Sequence, residues 1–262
     1  MPIDPGASIA PTARVHPEAR VGPGCVIGEY AIVESDVELG ARCVLEPYVY
    51  VKRFTTLGED NVISAHTVLG TDPLDKNFHG QRSYLRIGNR NKIREHFTIS
   101  RATKPEGETV LGDDNFIMTS GHIAHDCRLA NQIVVASCAL LAGYVEVGDR
   151  AFISGGVVVH QYSRIGRLAM VGGNTRVNSD LPPFFLYSDF DVAAKGINAV
   201  GLRRAGLSSD SMKLLKECFR ILYRSGLKFS AALLQLEAMQ DPLAQEIADF
   251  VRQSKRAIAG AA

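Results

Sequence analysis

The run VGPGCVIGEYAIVESDVELGARCVLEPYVYV (21–51) places Val21, Ile27, Val33, Leu39, Leu45 and Val51 six residues apart. Neither the 3.6-residue period of a helix nor the alternation of a half-buried strand produces that spacing. Followed in both directions, the clock opens at Ile3 and runs to Leu69, returns at Ile87, Ile93 and Ile99, and runs again from Leu111 to Val177. Of its 30 slots, 27 hold Ile, Leu or Val. Four positions after many of them stands a small residue, as at Ala7, Ala13, Ala19, Cys25, Ala31, Cys43, Thr55, Thr67, Cys127, Ala139, Ala151, Ala169 and Thr175. A hexapeptide clock of this kind predicts a parallel β-helix. Each hexad forms one flat side, the aliphatic residue points into the prism, and the small residue lets the chain turn the corner. Three hexads close a coil, and coils stack by parallel pairing about 4.8 Å apart.

The three failing slots are Asp75, Gln81 and Pro105. They lie in TDPLDKNFHGQRSY (71–84) and RATKPEGETV (101–110), polar stretches rich in turn formers, which predict loops leaving the prism. Loops carried on a rigid scaffold are a common place for function. The clock stops near Pro182 and Pro183, and beyond them the period turns helical. In SSDSMKLLKECFRILYRSG, Met212, Leu215, Phe219 and Leu222 form an apolar stripe, Lys213, Lys216, Arg220 and Arg224 form a basic one, and Gly226 is a stop signal. Further helices are expected over 229–239 and 242–256. The expected organisation is a mainly β prism over 1–190 and a small α-helical domain over 191–262.

Bulk composition narrows the function classes. The 29 basic and 28 acidic residues give a net charge of +1, without the strongly basic balance of a nucleic-acid-binding domain. Five cysteines form no CxxC pair, which fits a reduced, cytoplasmic protein. No signal peptide is expected, and no apolar run reaches the roughly 18 residues of a membrane span.

The coil arithmetic brings distant residues together. Adding one coil to His125 gives Gly143, and a second gives Gln161; Asp126, Tyr144 and Tyr162 form the neighbouring column. His160 stands beside the first column and His122 across the corner. A histidine next to a carboxylate suits general base work, because the carboxylate can fix the tautomer and stabilise the imidazolium. A metal site using His122, His125 and His160 needs convergence at about 2.0–2.3 Å. A nucleophilic thiol at Cys127 conflicts with that residue's inward slot.

The hexad clock is joined, in order, by HIAHDC (122–127), LAG (141–143), VHQ (159–161), GGN (172–174), PPF (182–184) and GINAVGLRR (196–204). On these motifs nearly the whole chain resembles the UDP-N-acetylglucosamine O-acyltransferases, hexapeptide-repeat enzymes that open lipid A biosynthesis. The resemblance implies a left-handed β-helix, against the usual right-handed preference for crossovers. It implies transfer of a 3-hydroxyacyl chain from acyl carrier protein to the 3-hydroxyl of UDP-N-acetylglucosamine, without a cofactor or metal. His125 would be the base, Asp126 its orienting carboxylate and the Gly143 N–H an oxyanion donor. His122, His160 and Gln161 would touch substrate, Asp75 the sugar nucleotide, and Asn198 and Arg204 the nucleotide, while Gly173 would set acyl-chain length. The resemblance further implies a homotrimer with sites between prisms, and the basic helical stripe offers a surface for the acidic carrier protein. Because the repeat opens at Ile3, the extra N-terminal uridine-binding domain of the related N-acyltransferases is not expected.

The chain departs from the family pattern at several points. Tyr144 stands for a histidine, Ser100 for a histidine, and Val200 for an acidic residue. The family's loop lysine aligns with Asn77, with Lys76 one place early; the second arginine of the tail motif is Ala205, although Arg203 precedes Arg204. These changes fall on the nucleotide side, so a paralogue acting on a different UDP-sugar is an alternative. A metal-binding prism of the carbonic anhydrase kind is a third.

Overall fold

The computed structural model describes residues 2–261. Nearly every hexad becomes a two-residue strand followed by a tight corner, so three strands complete a coil. The walls of the resulting left-handed β-helix are sheets of 12, 9 and 8 strands. On the first wall Phe116 pairs with Val134, Val134 with Phe152, and Phe152 with Met170. On the second, His122 pairs with Leu140, Leu140 with Val158, and Val158 with Arg176. On the third, Arg128 pairs with Glu146 and Glu146 with Arg164. The clock residues fill the prism: Ile117, Ile123, Leu129, Val135, Leu141, Val147 and Ile153 are at most 3% exposed.

The corners explain the small residues. Asp126, Tyr144 and Tyr162 each turn with φ near +60°. That conformation costs a non-glycine residue on the order of 1 kcal/mol, and it persists because pairing and burial on both sides over-determine it. The next residue points inward with no room for bulk: Cys127, Ala139 and Ala169 are fully buried. Where this slot holds asparagine, in three successive coils, the side chains satisfy one another by stacking. Asn91 Nδ2 donates to Asn61 Oδ1 (3.0 Å), Asn115 Nδ2 donates to Asn91 Oδ1 (2.9 Å), and Ile133 N–H donates to Asn115 Oδ1 (2.8 Å).

Both excursions leave the prism as expected, and they insert whole hexads. Ile63 pairs with Leu45, 18 positions back, but with Ile93, 30 positions ahead. Ile99 pairs with Ile123 at a separation of 24. The first excursion therefore adds two hexads and the second one, which keeps the clock in phase.

The expected boundary at residue 190 falls inside a hairpin. Phe185–Ser188 extends the first wall from Met170–Val171, and Ala193–Ile197 pairs antiparallel with it. The chain returns at Gly260–Ala261 to pair with the second hairpin strand. Four helices intervene: α1 (Ala199–Arg204), α2 (Ser209–Tyr223), α3 (Phe229–Ala238) and α4 (Pro242–Gln253). Phe219 and Tyr223 of α2 pack edge-on against Phe185 (5.4 and 5.7 Å between centroids), so the helices share a core with the last coil. Helix α4 ends short of residue 256 because the following segment is recruited by the prism. There Ser254 Oγ donates to Asp180 Oδ2 (2.7 Å), and Asp180 N–H donates to the Ala257 carbonyl (2.8 Å).

Replacing the buried clock residue Ile153 with Ala should destabilise the protein by about 2–5 kcal/mol, whereas Val158→Ala, an outward neighbour 40% exposed, should change stability by less than about 0.5 kcal/mol. Urea denaturation checks this; equal losses would contradict the assignment of inward and outward positions.

Candidate active site

The site forms at the corner between the second and third walls. Tyr144 N–H donates to the His125 carbonyl (3.0 Å), and Tyr162 N–H donates to the Gly143 carbonyl (3.0 Å), which fixes the two columns read from the sequence. Gly143 lies directly against the His125 ring. A Cβ at Gly143 would stand 2.5 Å from His125 Cε1 and 2.8 Å from Nε2, so only a bare peptide fits there. The Gly143 N–H takes no backbone partner among the described residues. Tyr144 meets the imidazole edge-on (5.4 Å, 88°) and stacks on Tyr162 (4.6 Å, 10°), with Lys104 Nζ 5.6 Å from the Tyr144 ring centre.

His125 is nearly buried and its Nδ1 lies 2.9 Å from Asp126 Oδ2. Burial pushes the Asp126 carboxyl upward, but hydrogen bonds from His125 and Thr103 outweigh it and hold the group below its ordinary range. Asp126 is thus an anion at neutral pH and can only accept. The proton between the two residues therefore sits on Nδ1, leaving the lone pair on Nε2. On the Nε2 side, Asp75 Oδ2 approaches to 3.8 Å. Thr103 closes the other side: its N–H donates to Asp126 Oδ2 (2.9 Å) and its Oγ1 lies 2.8 Å from His125 Nδ1.

His122 Nδ1 bonds to Thr98 Oγ1 (2.7 Å), and its Nε2 is buried without a partner. Burial, aided by the neighbouring His125, lowers its pKa and so favours the neutral ring, although a hydrogen bond to the Thr98 backbone acts the other way. His160 is exposed, with Nδ1 3.1 Å from the Gln161 carbonyl. The three histidines thus engage separate partners, and no metal-binding group of three or more His, Cys, Asp or Glu occurs among the described residues. Cys127 is sealed inside the prism, and desolvation pushes its thiol up to about 12, far from a thiolate at neutral pH.

One chain does not assemble every residue expected at the site. Asp75, His122, His125, Asp126, Gly143 and Tyr144 gather at this edge, with Lys76 on the exposed excursion beside Asp75 and His160 and Gln161 one coil further along. Gly173 stacks on Gly155 at a second edge, because its position is out of step with His125 by two hexads. Asn198 caps α1 and its Nδ2 donates to the Leu168 carbonyl (2.9 Å), which puts it at the third edge with Arg203 and Arg204. There Asn198, Val200 and Arg204 line a groove of about 690 Å³ with Gln132, Phe152 and Met170. Thr98, Thr103 and Tyr162 also belong to the site. Tyr162 stands in the second column that the coil arithmetic gives, whereas Thr103 carries no sequence signal beyond lying in an excursion.

Residues 18–53 match the family model described as bacterial transferase hexapeptide (six repeats), and residues 180–259 match domain 2 of Udp N-acetylglucosamine O-acyltransferase. The acyl-[acyl-carrier-protein]–UDP-N-acetylglucosamine O-acyltransferase of Herminiimonas arsenicoxydans is 40% identical over 94% of this chain and 97% of its own length. That of Gloeothece citriformis is 40% identical over 76% of this chain and 73% of its own. The solved UDP-N-acetylglucosamine acyltransferase from Bacteroides fragilis superposes with a TM-score of 0.86 at 33% identity, covering 95% of this chain and 99% of that one. The bare peptide under a carboxylate-oriented imidazole thus sits in a scaffold shared along nearly its whole length, and the chain belongs to the family of UDP-N-acetylglucosamine O-acyltransferases.

Proposed function

We propose that this protein transfers a 3-hydroxyacyl chain from acyl carrier protein to the 3-hydroxyl of UDP-N-acetylglucosamine, the opening step of lipid A biosynthesis. The observation that carries the mechanism is the His125 ring, held through Nδ1 by Asp126 with Nε2 open above Gly143. Nε2 removes the proton from the sugar hydroxyl as its oxygen attacks the thioester carbonyl carbon. The carbonyl oxygen gathers negative charge and the Gly143 N–H donates to it. When the carbon–sulfur bond breaks, the imidazolium returns its proton to the departing thiolate. Asp126 stabilises the imidazolium between these steps. Asp75 and His122 border the acceptor.

The division of Gly173, Asn198 and Arg204 from His125 supports assembly. A closed trimer of prisms brings one copy's third-edge groove toward a neighbour's His125 edge. The five cysteines, all free and four of them buried, fit work in the cytoplasm. A second reading of the acceptor rests on Tyr144 beside the base and Val200 in the groove: another UDP-sugar replaces UDP-N-acetylglucosamine.

His125→Ala should lower kcat by about 10²–10⁴-fold with the fold retained, and Gly143→Ala should be comparably inactive because its methyl collides with the imidazole. Turnover near the wild-type level in His125→Ala would remove the base assignment. Assayed with hydroxyacyl carrier protein and a panel of UDP-sugars, the enzyme should prefer UDP-N-acetylglucosamine; a clear preference for another sugar would establish the second reading. For the assembly, inactive His125→Ala and Arg204→Ala chains, dissociated and mixed equally, should recover about a quarter of wild-type activity if each site draws on two copies. No recovery, together with a monomer in sedimentation, would contradict the trimer.

A further inference from the structure

We infer that Thr103, delivered by the second excursion, is a positioning residue that fixes the tautomer and orientation of His125; this rests on the proposed base role of that histidine. Thr103 is more than nine-tenths buried although it sits in a loop. Its oxygen shares Nδ1 of His125 with Asp126, at 2.8 and 2.9 Å. An ionised carboxylate cannot donate, so Nδ1 carries the proton and the Thr103 oxygen accepts a share of it. The hydroxyl proton then points away from the imidazole, toward the Asp126 carboxylate or the Tyr144 hydroxyl, both within its reach. A hydroxyl donating to Nδ1 instead would leave the proton on Nε2 and disable the base. The backbone at the same residue adds a third restraint through Thr103 N–H to Asp126 Oδ2 (2.9 Å).

The loop is built to hold this residue still. Arg101 is 5% exposed; its Nη2 donates to Asp72 Oδ1 (2.8 Å) and its Nη1 to the Gln81 carbonyl (3.2 Å). Its guanidinium lies over the Phe78 ring at 4.9 Å. The Gln81 side chain donates to the Thr103 carbonyl, and Ser83 donates to the Ala102 carbonyl. The two excursions are therefore fastened to each other. Together they bring Asp75 to the Nε2 side of one imidazole and Thr103 to its Nδ1 side.

Three variants measured together test this: T103V, which keeps the shape and backbone bond but loses the hydroxyl, T103S, which keeps the hydroxyl, and H125A. T103V should lower kcat by about 10–100-fold, with KM for both substrates changed by less than about twofold, and T103S should restore turnover. A merely structural role would not produce a kcat loss at unchanged KM that serine reverses. Wild-type kcat in T103V, or equal impairment in T103S and T103V, would overturn the inference while an inactive H125A leaves the base role standing. Turnover in H125A would remove the base role itself. Should T103V yield no folded protein, T103A takes its place beside T103S: a kcat loss at unchanged KM that T103S does not share supports the inference, and wild-type kcat in T103A overturns it.

Discussion

Each coil hydrogen-bonds to the next along three walls, and that ladder decides which side chain lies over which. Ala124 N–H donates to the Leu141 carbonyl, and Ala142 N–H to that of Val159, at 2.9 and 3.0 Å. Wherever no excursion intervenes, residues eighteen apart consequently stand one strand spacing from each other, whatever they are. A histidine, a glycine and a glutamine that would be unrelated in most folds become neighbours on one rigid edge. Placing a base on such an edge limits its motion without a dedicated core around it.

The chemistry then depends on two features that the ladder permits but does not supply. One is the absence of a side chain at Gly143, which lets the imidazole settle over a peptide with its N–H free of backbone partners. The other is the buried carboxylate of Asp126, kept ionised by His125 and Thr103 against the cost of desolvation. An anion so placed favours the imidazolium that forms when the acceptor hydroxyl loses its proton. Tyr144 closes the site with a ring edge, where a histidine would have offered a second titrating group.

Much of this was legible in the sequence because the clock tolerates no ambiguity: a shift of one residue would expel Ile123 and bury His122. The excursions did not obscure it, since they insert whole hexads. The columns through His125 and Asp126 followed from arithmetic, and so could the separation of Gly173 from them. Thr103 was illegible because a loop that has left the lattice carries no period to say where it folds back. The hairpin across residue 190 was hidden by Pro182 and Pro183, which read as an end, while the chain takes a shortened coil in which Met170 pairs with Leu186. Residues 254–256 read as helix, but there Ser254 Oγ donates to Asp180, and the backbone of Ala257 and Ala259 beyond them pairs with that of Asp180.

The most direct test is a crystal structure of the protein with UDP-N-acetylglucosamine bound. The account predicts the sugar 3-hydroxyl oxygen about 3 Å from His125 Nε2, on the side of the ring that faces Asp75. A nucleotide sugar ordered elsewhere, with no acceptor oxygen in reach of Nε2, would contradict it.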